Sequence, residues 1–228
     1  MAARKPIFTP DAFHFFQDLA KHNRKTWMDE NRERYRSAIV QPCRQLFEEL
    51  CPAVLEIDER FDVSGRNSAN FSRINNDIRF SKDKTLYKTQ MYVKFPLPSS
   101  GDRESGQLYV GLSQDAVTAG FRIYAGSKRR DSALALIAEP RFNAKPKWLG
   151  QQKRRLGRRC DSYWYSTERG AWIKHDGWPS ALEDWKKIRG WIVRKKMKPA
   201  AALRRSFPSD LAKTFREVYP LLSFTSIP

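Results

Sequence analysis

The chain is poor in the residues that build covalent and metal-held folds. Only three cysteines occur, Cys43, Cys51 and Cys160, and no two of them form a CxxC pair. An odd count at such wide intervals argues against a disulfide framework and against a thiolate zinc site. Reduced, buried thiols are expected instead, as suits the cytoplasm. Histidine is as scarce: His14, His22 and His175 are scattered, with no metal-ligand spacing among them. Walker A, GxGxxG, HExxH and GxSxG motifs are all missing, so neither a metal nor a cofactor is implied. No apolar run approaches the roughly 18 residues of a membrane span. The opening MAARKPIFTP is basic but lacks the apolar segment of a secretory signal. The expectation is a cytoplasmic protein without a membrane span; oligomeric state leaves no mark in the sequence.

Acidic residues are the other shortage. Twenty-five Asp and Glu stand against 43 Lys and Arg, a formal net charge of +18. Such a polycation attracts nucleic acid, anionic lipid or polyphosphate through its summed field. Apolar residues at 40% and aromatics at 13% suffice for a packed core and exclude a disordered chain. A length of 228 residues fits one domain, expected over 1–228.

Hydrophobic periodicity orders the chain. Thr9-Pro10-Asp11 reads as a helix start, with Phe13, Phe16 and Leu19 following at helical spacing. His22-Asn23-Arg24 is a break, and Asn23 reads as a helix stop or cap. A second helix starts near Thr26, with Asp29 as a capping-box residue and Trp27, Tyr35, Ile39, Cys43, Leu46, Phe47 and Leu50 near one face. Pro42 should kink or split it, and Cys51-Pro52 marks another break. From Arg73 the period changes to two: Ile74, Ile78 and Phe80 face one way, Arg73, Asn75, Asp77 and Arg79 the other. Ser81 to Lys84 is a turn. Met91, Val93 and Phe95 alternate again, and Leu108–Leu112 and Ala116–Tyr124 flank a Ser113-Gln114-Asp115 hairpin loop. Pro96–Ser105 reads as another hairpin loop. Helices are then expected at Arg130–Glu139 (ended by Pro140), Pro179–Met197 and Ser209–Tyr219, with a short strand at Tyr163–Tyr165. Helices, then strands, then helices predict an α+β domain with an antiparallel or mixed sheet of about four to six strands.

The chemistry concentrates in Arg73–Lys88, RINNDIRFSKDKTLYK. Arg73 and Arg79 flank Asp77 on one strand face, an arrangement in which the carboxylate orients guanidinium forks that bind phosphate or carboxylate bidentately. Lys84 adds a point charge, Asp83 a second carboxylate, and Tyr87 a hydroxyl or a stacking face. Alternating charges on a strand also occur as plain solvated ion pairs. Among so many cations Asp77 and Asp83 should stay ionised, which suits anion orientation better than acid catalysis. A second candidate is the basic C-terminal half. There Lys128–Arg130, Lys153–Arg155, Arg158-Arg159 and Arg194–Lys196 lie among Trp148, Trp164, Trp172, Trp178 and Trp191, the ingredients of single-strand binding. Core packing accounts equally for most of those tryptophans.

Arg73, Asp77, Arg79-Phe80, Asp83-Lys84 and Tyr87-Lys88-Thr89 resemble the signature of the DUF2461 family of uncharacterised bacterial and fungal proteins. Phe13, Phe16, Leu19, Asn23, Trp27, Asn31 and Tyr35 resemble its N-terminal pattern. Asn76 departs from it, standing where the family usually has arginine. The resemblance implies a shared fold and points to Arg73, Asp77, Arg79, Asp83, Lys84 and Tyr87 as ligand-binding residues; it implies no particular activity. The resulting expectation is a protein that binds an anionic small molecule at this signature. The alternatives are a nucleic-acid-binding module acting through the basic C-terminal half and an enzyme of unknown class at the signature.

Overall fold

The computed structural model describes residues 5–79, 83–98, 106–124, 140–168 and 170–225. The class is α+β as expected, with a six-stranded antiparallel sheet in the order β1-β2-β3-β6-β4-β5. Its strands are β1 (Gln90–Pro96), β2 (Gln107–Ser113), β3 (Val117–Tyr124), β4 (Asp161–Glu168), β5 (Ala171–Asp176) and β6 (Ile188–Met197). The first three are consecutive neighbours, closed between β2 and β3 by Ser113 N–H donating to the Ala116 carbonyl. The second three double back, so that β6 is central and β5 is an edge. Two compact units divide the chain: Met1–Phe95 with Val110–Thr118 and Met197–Ala212, and Pro96–Tyr109 with Ala119–Lys196 and Lys213–Pro228.

In the first unit, α1 (Pro10–Lys21) begins where the sequence places it, with Thr9 at the N-cap and Pro10 in the first turn, where no N–H is needed. Its buried stripe is Ala12, Phe13, Phe15, Phe16 and Leu19. After the break come α2 (Lys25–Glu30), α3 (Arg32–Tyr35), a π-helical stretch over Arg36–Val40, and α4 (Gln41–Ile57). Asp29 is no capping-box residue; it pairs with Arg32 at 2.7 Å. Pro42 acts through the π-helical stretch: Gln41 N–H reaches back five residues to Arg36, and Pro42 falls in the first turn of α4. Pro52 does not break the helix. Buried Leu46, Phe47, Leu50 and Val54 carry α4 through it, packing outweighing one missing hydrogen bond. Phe47 stacks on Phe95 of β1 at 5.0 Å and tilts against Phe71 at 5.2 Å.

In the second unit the long helix expected over Pro179–Met197 is not formed. Only α6 (Leu182–Lys187) is helical, after α5 (Trp148–Leu156), and β6 takes the rest. Helical spacing of Leu182, Trp185, Ile188 and Ile192 suggested one helix, but β-branched Ile188, Ile192 and Val193 beside Trp191 fit a pleated surface, and Gly190 disfavours helix. The Asp184 carboxylate accepts the Ser180 and Ala181 N–H groups and starts α6. Trp191 is fully buried, edge-on to Trp185 at 5.1 Å and to Phe121 at 5.3 Å. Its indole N–H donates to Ser162 Oγ at 2.9 Å. Gly120 of β3 is required by close approach: a Cβ there would lie 2.0 Å from the Val193 carbonyl oxygen. β4 extends the expected Tyr163–Tyr165 strand, and β5 follows after Gly170 at φ +77°. The C-terminal helix α7 (Phe207–Thr225) starts two residues before the expected Ser209, with Leu211, Phe215 and Val218 buried as anticipated. The helix expected over Arg130–Glu139 lies outside the described residues; Pro140 itself is helical rather than a terminator. Among the described residues no helix is long and apolar enough to cross a membrane.

Candidate functional site

The signature segment is not a regular strand. Residues 71–79 run antiparallel to 83–93 through isolated bridges, Phe71 with Val93 and Asn75 with Tyr87. Asn76 N–H donates to the Leu86 carbonyl at 2.9 Å and Lys88 N–H to Ile74 at 2.7 Å, so Asn75 and Tyr87 form the pair without direct backbone bonds. The Tyr87 backbone therefore points away from Asn75, and Asn23 meets it. Asn23 Nδ2 donates to the Tyr87 carbonyl at 2.7 Å, and Tyr87 N–H donates to Asn23 Oδ1 at 2.9 Å. One side-chain amide thus stands in for a neighbouring strand. Asn23 is no helix cap: His22 is the α1 C-cap and Arg24 the α2 N-cap.

The expected alternation holds over the described part. Arg73, Asn75, Asp77 and Arg79 are exposed, Ile74 is buried and Ile78 half-buried; Phe80 and Lys82 lie outside the described residues. Arg79 grips Asp77 through Nε to Oδ1 at 2.9 Å and Nη2 to Oδ2 at 2.7 Å. Both are well exposed, at 75% and 61% of their side-chain surface. Hydrogen bonds from the Arg79 side chain and then its backbone N–H hold the Asp77 carboxyl below its usual range. Asp83, exposed, accepts the Thr85 hydroxyl and N–H, which lower its pKa in that order. Lys84 Nζ donates to the Ile78 carbonyl at 3.0 Å and Lys88 Nζ to the Arg73 carbonyl at 3.2 Å. Among the described residues the Arg73 guanidinium has no hydrogen-bond or ion-pair partner. Asn76 is half-buried and donates from Nδ2 to the Thr85 carbonyl at 2.8 Å.

Tyr87 is 8% exposed where Arg73 and Arg79 are exposed, so its ring offers no open stacking face. Its neighbours are helical. The Arg32 guanidinium is stabilised as a cation first by Asp29 and also by the Tyr87 and Tyr35 phenols. Burial pushes the Tyr35 phenol up to about 12. Arg32 is a residue that the sequence reading missed; its only signal was its place between Asn31 and Tyr35. Asn31 satisfies backbone, donating to the Trp27 carbonyl at 2.9 Å.

In the second unit the basic clusters are partly committed. Arg155 donates to Gln152 and to the Glu217 carbonyl, and Arg159 pairs with the Glu217 carboxylate at 2.9 Å. Lys128, Arg129 and Arg130 lie outside the described residues. Trp164 and Trp191 are core, Trp148 and Trp178 half-buried, and Trp172 exposed. A Ser166–His175–Glu168 contact, unsignalled by any motif, lies on β4 and β5. Ser166 Oγ lies 2.9 Å from His175 Nε2 and 3.3 Å from Glu168 Oε1. This is not a nucleophile triad: serine and carboxylate meet the same imidazole nitrogen, and Ser166 is fully buried. Among the described residues no group of three His, Cys, Asp or Glu side chains is placed to hold a metal ion.

The sequence pattern of a family described as a conserved hypothetical protein, DUF2461, matches residues 11–139, more than half of the chain and all of the signature segment. No curated protein matches the chain.

Proposed function

We propose that this chain, which belongs to the DUF2461 family, is a cytoplasmic protein that binds a phosphate or carboxylate group at residues 73–88. The observation that carries the reading is the division of labour along this segment. Its carboxylates are satisfied locally, Asp77 by Arg79 and Asp83 by Thr85, while exposed Arg73 has no side-chain partner among the described residues. Arg79, oriented by Asp77, stands on the same side of the chain; Lys84 reaches the Ile78 carbonyl and Lys88 the Arg73 carbonyl. A tetrahedral or planar anion would take Arg73 as its fork-shaped partner and the neighbouring cations as point charges.

Binding is favoured over catalysis at this segment because its carboxylates are held ionised and the nearby Tyr35 phenol is held protonated. Neither type of group exchanges protons readily near neutral pH. Calorimetric titration with inorganic phosphate, pyrophosphate and a dicarboxylate at low salt tests the reading. A charge-assisted hydrogen bond contributes about 1.5–3 kcal/mol, so Arg73→Ala should weaken binding roughly ten-fold or more. Because Arg73 is exposed and has no partner among the described residues, the fold should be unaffected. Absence of binding by the wild type, or wild-type affinity in Arg73→Ala, would overturn it.

A further inference from the structure

A second surface, independent of the signature, lies on the open side of the sheet in the second unit. Strand register places Tyr163 and Tyr165 of β4 on one face with Gly190, Ile192 and Arg194 of β6 and with Trp172, Lys174 and Asp176 of β5. The opposite face of these strands carries the buried Trp164, Trp191 and Val193. On the open face the Tyr163 ring lies between two cations, Lys174 Nζ at 4.3 Å and the Arg194 guanidinium at 4.8 Å. Arg194 Nε is buried without a hydrogen-bond partner, while the Tyr109 and Tyr163 phenols engage the guanidinium. Tyr124 spreads over Gly190, whose missing side chain makes room for it, and stacks on Trp172 at 5.1 Å and 30°. Arg122 lies 5.7 Å from the Tyr124 ring. Trp172 is 38% exposed, a large apolar side chain left open to solvent.

Rings on a sheet face, interleaved with guanidinium and ammonium groups, answer the two halves of an unpaired nucleotide. Bases stack on the rings, and phosphates meet the cations. A duplex hides its base faces and cannot use the rings. The chain's charge of +18 supplies the long-range attraction such a ligand needs. We propose that this face, centred on Tyr163, Tyr165, Trp172, Lys174 and Arg194, binds single-stranded nucleic acid.

The test is fluorescence anisotropy of the full chain with labelled 12-mer single-stranded RNA, the matching single-stranded DNA, the duplex, and a heparin fragment of similar charge, across a salt series. Variants are Trp172→Ala and Lys174→Glu, both at exposed positions, with Arg73→Ala as the control at the other site. The proposal expects single strands to bind more tightly than duplex or heparin, and the RNA and DNA arms assign the preferred sugar. It expects Trp172→Ala to weaken binding at least five-fold at unchanged salt slope, and Lys174→Glu to weaken it with a shallower slope. The fold loss in affinity from Trp172→Ala should be the same in an Arg73→Ala background. Ultraviolet crosslinks should map to peptides within 161–196. Equal affinity for heparin, insensitivity to both variants, no binding near 0.1 M salt, or crosslinks confined to 73–88 would each overturn it.

Discussion

Replacing Asn23 with alanine should loosen the signature segment from 64 residues away in sequence. The amide makes two hydrogen bonds to one backbone unit, at 2.7 and 2.9 Å, both partly buried. Each such bond contributes about 1 kcal/mol net, and a backbone group left buried and unpaired costs about 1–3 kcal/mol. Partial burial lets water reach the stranded Tyr87 groups, which keeps the loss near the lower end. Asn23→Ala should therefore destabilise by about 2–3 kcal/mol in equilibrium urea unfolding, with an unchanged m-value. Asn23→Asp is the sharper probe. It keeps an acceptor for Tyr87 N–H but turns a carboxylate oxygen toward the Tyr87 carbonyl, so it should lose as much stability as alanine. Amide exchange at Asn76 and Lys88 should accelerate in both variants. A loss below about 0.5 kcal/mol in Asn23→Ala, or a fully stable Asn23→Asp, would refute the view that this side chain completes the hairpin.

Other perturbations separate core chemistry from surface chemistry. Ser162→Ala strands the buried Trp191 indole N–H, a cost of about 1–3 kcal/mol that should lower the melting temperature by roughly 3–8 °C in a thermal scan. Gly120→Ala forces a methyl group into the Val193 backbone and should leave little soluble, folded protein on expression, whereas Gly170→Ser at the exposed turn should express. Burial raises the Cys43 thiol from 9.0 to about 12 and the Tyr35 phenol from 10.0 to about 12. Both folded values exceed the unfolded ones, so the stability these groups contribute is complete below pH 9 and lost as pH rises toward 12. Urea midpoints measured from pH 7 to 11 should fall above pH 9, and Tyr35→Phe should reduce the fall.

Local signals with one meaning were legible in the sequence. Pro10 after Thr9 marked the start of α1, and Ser113-Gln114-Asp115 between alternating runs marked the β2–β3 turn. Signals whose meaning depends on tertiary neighbours were not. Trp185, Ile188 and Ile192 keep helical spacing, yet Gly190 and the β-branched residues of β6 are drawn into the sheet between β3 and β4, where Trp191 and Val193 find the core. Pro52 reads as a break only if the packing of Leu50 and Val54 is ignored. At the candidate site, the exposure of Arg73, Asp77 and Arg79 followed from period-two alternation. The bond between Asn23 and Tyr87 did not, because a side-chain amide replacing a strand leaves no periodicity. The burial of Tyr87 beside Arg32 and Tyr35 was likewise invisible, since the segments meet only in three dimensions. The open sheet face required the register of β4, β5 and β6 and could not be read before β6 was known to be a strand.

Amide and arginine side-chain NMR resonances followed during a pyrophosphate titration are the sharpest test of the proposed anion site at residues 73–88. Saturable shifts should concentrate at 73–79 and 83–88, including the Arg73 and Arg79 side chains, and vanish in Arg73→Ala. Shifts spread over the basic surface without saturation, or a saturable set that excludes this segment, would contradict it.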